Sequence, residues 1–164
     1  MIFWINTGIL VITIVIEMTI ANLLNLYAIK PDLMLVVVIS MAFYNDSEKG
    51  AIIGFAGGLL KDLFSVHFLG VNALVKTVVG YLSGVIRDRI FSYHLLWIVA
   101  IFTFGFSLVN NLIVYILLSA LHSNYDFVHI LSTVSLWQAV INACISPFVF
   151  LGLKKIFSIT GQRD

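Results

Sequence analysis

The stretch Gly50-Ala51-Ile52-Ile53-Gly54-Phe55-Ala56-Gly57-Gly58-Leu59-Leu60-Lys61-Asp62 decides how the chain is read. Glycine returns every fourth residue at Gly50, Gly54 and Gly58, with Gly57 beside them, and apolar side chains fill the gaps. On a helix those positions stack on one face and lay a groove of bare backbone along it, so a second helix can approach closely. Downstream, Gly80 and Gly84 repeat the device with Lys76 one turn before them, and His67-Phe68 marks a turn between the two runs. The reading is a close-packed helical hairpin, with ordinary packing inside this chain and a seat for a partner's helix as the two uses of its glycine faces.

Composition places that hairpin in lipid. The 164 residues are 61% hydrophobic and 10% charged, whereas soluble domains run at about 45 to 50% and about 25%. Nine Lys and Arg against eight Asp and Glu leave a net charge of +1, which excludes the basic footprint of a nucleic-acid binder. The single cysteine, Cys144, supports neither an internal disulfide nor a thiolate metal site and reads as a small apolar packing residue in a lipid-facing or core position.

Apolar runs then give an all-α membrane protein, a bundle of six transmembrane helices over residues 3–28, 32–45, 50–66, 69–86, 95–121 and 128–153, in one domain 1–164. The second and third runs are short for a full crossing, and a re-entrant pair is the alternative there. The first run lacks the basic leader and small-residue cleavage site of a signal peptide. Pro31 reads as the first residue of the second helix, and Pro147, after Ser146, as a kink inside the sixth. With the N-terminus inside, Lys49, Arg87, Arg89, Lys154, Lys155 and Arg163 lie inside against Lys30 and Lys61 outside, which predicts both termini in the cytoplasm. Trp4, Tyr27, Tyr44, Tyr93, Trp97 and Tyr125 fall near span ends, while Trp137 reads as a packing residue within the last span.

Ionisable side chains within the spans are the informative ones, since each costs about 2.5 to 3.5 kcal/mol at a helix centre. Glu17, Asp62 and Lys76 qualify. Helical rise from the turn puts Asp62 at about 8 Å, Asn72 at about 7 Å and Lys76 at about 13 Å, so the three form a polar cluster joining the hairpin. Lys61 is expected to snorkel outward. Glu17, an intramembrane acid with no cation near it in sequence, is expected to be desolvated and neutral, with Asn22, Asn25, Asn110, Asn111, Gln138 and Asn142 available for bonds between helices.

Catalytic and metal patterns are poor. Gly105-Phe106-Ser107-Leu108-Val109 holds half of a nucleophile elbow and lacks its closing glycine. His122, Asp126 and His129 straddle a loop and a helix start, so they read as solvated loop residues and no metal is expected. No phosphate-binding glycine loop is present in the sequence, and no cofactor is expected.

The order Pro31-Asp32-Leu33, then the glycine stretch ending in Lys61-Asp62, then Leu69-Gly70-Val71-Asn72-Ala73-Leu74, resembles the family of rod shape-determining proteins MreD. The resemblance is specific over roughly 31–84, and elsewhere it lies in hydropathy alone. It implies a non-enzymatic inner-membrane component of the bacterial elongation machinery, supporting lateral cell-wall synthesis and cell shape. The implied partners are MreC, with RodA, a class B penicillin-binding protein and MreB filaments, alongside membrane lipid; a second copy of the chain is a further candidate. The family is also similar in fold to the S-components of energy-coupling-factor transporters, which supplies a second reading, a vitamin-binding subunit; the sparse alanines of the first span, Ala21 and Ala28, weigh against it. Gly50, Gly54, Gly58, Asp62, Asn72, Lys76, Gly80 and Gly84 are thus expected as structural or partner-contact residues.

Overall fold

A computed structural model describes residues 2–23, 30–64, 69–89, 95–121 and 134–159. Six helices carry the described residues, with no strand among them: α1 (Ile2–Leu23), α2 (Leu33–Ala42), α3 (Ser47–Phe64), α4 (Val71–Arg89), α5 (Leu95–Leu121) and α6 (Ser135–Ile159). Helix is the form that satisfies the backbone amides of a segment, its first turn apart, without help from water. Leu96–Ile116 and Ser135–Ile159 are long and apolar enough to cross a membrane, while Trp4–Ile20 and Leu33–Ala42 are shorter apolar helices.

The shortest helix sits at the centre. All of Met34 to Ala42 is buried, and α2 packs against each of the other five helices; a helix that is apolar all round has no other stable place. On one side Leu10 and Ile14 of α1 join Met34, Val38 and Met41, with Leu153 and Phe157 of α6. On the other, Leu35, Ile39 and Phe43 meet Val75 and Val79 of α4, Val99 and Phe106 of α5 and Phe150 of α6. Just past α2, the Tyr44 ring stacks on Phe150 at 4.8 Å and tilts against Phe157 at 5.3 Å.

Pro31 lies one residue before the cap rather than inside the helix. Asp32 is the N-cap of α2, and its side chain accepts from the Leu35 amide, the usual use of an aspartate at that position.

Helices α3 and α4 form the closest pair, and glycine is the reason. A β-carbon at Gly50 would overlap the Gly80 carbonyl, one at Gly54 the Lys76 carbonyl, one at Gly58 the Asn72 carbonyl and one at Gly84 the backbone of Ser47. Gly57 faces the other way, and a β-carbon there would lie 3.0 Å from Met34 Sδ and 3.2 Å from Val38 Cγ2. The groove expected from the glycine spacing is therefore filled by the chain's own α4. Before α4, Gly70 has φ +103°, a conformation that side chains with a β-carbon rarely adopt.

Two features of α6 follow from its surroundings. Pro147 cannot donate to the Ala143 carbonyl, and the Ser146 hydroxyl donates to that oxygen at 2.9 Å, which makes the interruption tolerable. Trp137, by contrast, is more than half exposed and is no interior packing residue. Cys144 is exposed as well.

Candidate functional site

The buried ion pairs gather at one end of the bundle, where α2 and α4 begin and α3 ends. A buried helix start leaves amide groups without partners, and in a lipid-embedded bundle no water supplies them. Two carboxylates do so at α2. Besides the cap made by Asp32, Glu17 of α1 accepts from the Met34 amide at 2.8 Å. At α4 a single side chain from another helix serves three amides at the helix start. Asp62 of α3 accepts from the Gly70 amide (2.9 Å), the Asn72 amide (3.1 Å), the Ala73 amide (2.9 Å) and Asn72 Nδ2 (2.9 Å). Anions are favoured at both places by the helix dipole.

The remaining charges form one alternating chain. Lys61 Nζ lies 2.7 Å from Glu17 Oε1 and 2.8 Å from Asp32 Oδ1, and Lys76 Nζ lies 3.1 Å from Asp32 Oδ2. Lys76 also donates to Asn72 Oδ1 at 3.0 Å, which ties the chain to the Asp62 cap. Two cations and two anions balance, and Lys76 is wholly buried. In a medium this apolar, a charge stays only when paired and hydrogen-bonded.

Neutral groups extend the network to α5 and α6. Asn142 Oδ1 accepts from the Asp32 amide at 3.0 Å, and Asn142 Nδ2 donates to Ser107 Oγ at 3.0 Å. Gln138 Nε2 donates to the Lys30 carbonyl at 2.6 Å and its Oε1 accepts from Asn111 at 2.7 Å. All six helices thus meet at this end.

Asp62, Asn72 and Lys76 do come together, although Lys76 reaches Asp62 only through Asn72 and takes Asp32 as its anion. Two expectations fail. Lys61 turns inward between two carboxylates instead of snorkelling outward, because it alone on α3 reaches both Glu17 and Asp32. Glu17 is not without a cation, since folding brings Lys61 to it from 44 residues away. Asp32 and Lys61 are the members that sequence reasoning missed as site residues. Asp32 had a signal, a capping aspartate directly ahead of an apolar helix; Lys61 had none, since its partners come from α1 and the start of α2. Asn22, Asn25, His122, Asp126 and His129 lie outside the residues whose side chains are described.

The opposite end is exposed and plainly electrostatic. Lys49 Nζ lies 2.9 Å from Asp46 Oδ2 and Arg87 Nη1 lies 3.7 Å from Asp46 Oδ1. The Lys49 hydrogen bond and charge, with Arg87 behind them, hold the Asp46 carboxyl below the usual aspartate value. Among the described residues no group of three or more His, Cys, Asp or Glu side chains is placed to hold a metal ion. Ser107 is bonded to Asn142 within the core.

The arrangement defines a helical membrane protein whose interior charges are matched against one another between helices. The chain belongs to the family of the rod shape-determining protein MreD, whose model matches residues 1–156. That family carries a role in rod shape determination, is a membrane protein and a structural one, and is associated with the rod-shape complex. No solved structure matches the chain.

Proposed function

We propose that this chain is a six-span inner-membrane protein with both termini in the cytoplasm, and that it works without catalysis, by binding and positioning partners of the elongation machinery. The first partner is MreC, and through it RodA, a class B penicillin-binding protein and MreB filaments are held together for lateral cell-wall synthesis. In this orientation the charge network lies beneath the outer surface and Lys49, Arg87, Lys154 and Lys155 face the cytoplasm.

The observation that carries the reading is where the polar groups are spent. The interior charges bond to the chain's own helices, and large apolar side chains such as Trp4, Trp97, Ile101 and Phe148 point outward. A protein so built meets its partners through helix faces in the bilayer. The same observation weighs against a vitamin-binding subunit, because the end where a solute would enter is taken up by paired charges.

Copurification in mild detergent, followed by mass spectrometry of proteins and small molecules, tests the proposal. MreC should be recovered with the chain. Recovery of an energising ATPase and a vitamin-like solute instead would overturn it.

A further inference from the structure

Among the residues whose side chains are described, α1 enters the charge network through Glu17 alone. Glu17 supplies its contacts there, while the Thr13 and Thr19 hydroxyls turn back onto carbonyls of α1 itself. The outer face of the helix is apolar and exposed at Ile12 and Val15.

Of the three acids at this end, Glu17 has the thinnest support. Two donors reach it, Lys61 Nζ and the Met34 amide. Three reach Asp32, namely Lys61, Lys76 and the Leu35 amide, and four N–H groups reach Asp62. The geometry also makes Glu17 the one member of the alternating chain that can lose its charge without stranding a cation. Lys61 would keep Asp32 at 2.8 Å, whereas a neutral Asp32 would leave Lys76 without an anion.

Among the described residues the charged groups facing Glu17 come from three helices. Helix α3 presents Lys61, the start of α2 presents Asp32, and Lys76 of α4 stands behind Asp32. Asp62 is turned to the α4 amides, α6 offers neutral Gln138 and Asn142 at this level, and its Lys154 and Lys155 lie at the far end. The Lys61 side chain keeps 18% of its surface and that of Glu17 keeps 9%.

We propose that Glu17 is a proton-operated latch for α1. A proton taken from the aqueous phase at this end of the bundle binds the Glu17 carboxylate and ends its ion pair with Lys61, and α1 then moves away from α2 and α3. The change exposes the inner face of α1 for a different set of contacts, and loss of the proton restores the closed bundle. This inference goes beyond the function proposed above and does not depend on it.

Spin labels at Ile12 on α1 and Ile52 on α3, both exposed, in full-length Cys144→Ser protein in lipid vesicles, report the separation of the helices. The wild-type network should give a narrow distance distribution at neutral pH and a second, longer population in mild acid. Glu17→Gln, and separately Lys61→Met, should show the longer population at both pH values. An unchanged wild-type distribution, or a Glu17→Gln protein that still responds as wild type, overturns the proposal. If neither variant folds, infrared spectroscopy decides. The chain has two glutamates, Glu17 and Glu48, so Glu48→Gln protein grown with isotope-labelled glutamate reports Glu17 alone. A protonated-carboxyl band should appear over the pH range in which the distances change, and its absence there overturns the latch.

Discussion

Lys76 has no exposed surface, and its ammonium group is held by Asp32 and Asn72 alone among the bonds that fix it. Without it Asp32 and Glu17 would share Lys61, two buried carboxylates for one cation, and breaking a buried pair costs about 3 to 5 kcal/mol. Lys76→Ala should therefore lower stability by about that amount in detergent-denaturation experiments. Asp62→Ala should also destabilise, by uncapping α4, and the double variant should be worse than either single change. Equal or better stability of the double variant would contradict the network. At this scale the sequence was legible where local rules apply. Asp62, Asn72 and Lys76 are joined across a hairpin whose geometry follows from helical rise, and Ser146 serves the carbonyl freed by Pro147. The partners of Glu17 and Lys61 were not legible, since they depend on how α1 sits against α2 and α3, and no local spacing encodes that.

Among the elements, the α3–α4 hairpin rests on glycines that differ sharply from the others in the chain. Lipid offers no hydrophobic drive between helices, so close van der Waals contact and polar bonds must hold them. Gly54→Ala would push a methyl group into the Lys76 carbonyl and Thr77 backbone, and overpacking of this kind costs about 1 to 3 kcal/mol or more. Gly152→Ala, in open space within α6, should be neutral or stabilise by up to about 1 kcal/mol. Thermal denaturation of the two variants side by side checks the contrast. It also separates folding from partner binding, since loss of MreC with Gly54→Leu counts only if the hairpin remains intact.

The connection between α2 and α3 gives a pH prediction of known sign. Because Lys49 and Arg87 depress the Asp46 carboxyl, the contact is whole above the ordinary aspartate value of about 4 and is lost as pH falls through the lowered one. Lys49→Ala should bring the Asp46 titration, followed by NMR, back toward that ordinary value. The six helices were legible from hydropathy and breaker residues, since each apolar run is long against the turns that separate it. Their mutual placement was not: a pattern of apolar residues says that α2 is buried but not that five helices surround it.

For the whole molecule, the orientation proposed here is open to direct measurement. Cysteines placed at Lys49 and Lys154 in a Cys144→Ser background should react with a membrane-impermeant reagent only in inverted vesicles, and one at Lys30 only in intact cells. Labelling of all three from one side would refute the six-span arrangement.

The central position of α2 bears on how the protein is made. Ten residues of helix are about 15 Å long, half of the roughly 30 Å hydrocarbon thickness, and its buried start relies on Glu17 from before it and Lys61 and Asn142 from after it. As the ribosome delivers the chain, this segment has no stable resting state of its own in the bilayer. It must wait at the insertion machinery, or at the edge of the membrane, until α3 and then α6 arrive. Biogenesis should accordingly be slow and late to acquire protease resistance, with truncated nascent chains that end before residue 142 degraded rather than accumulated.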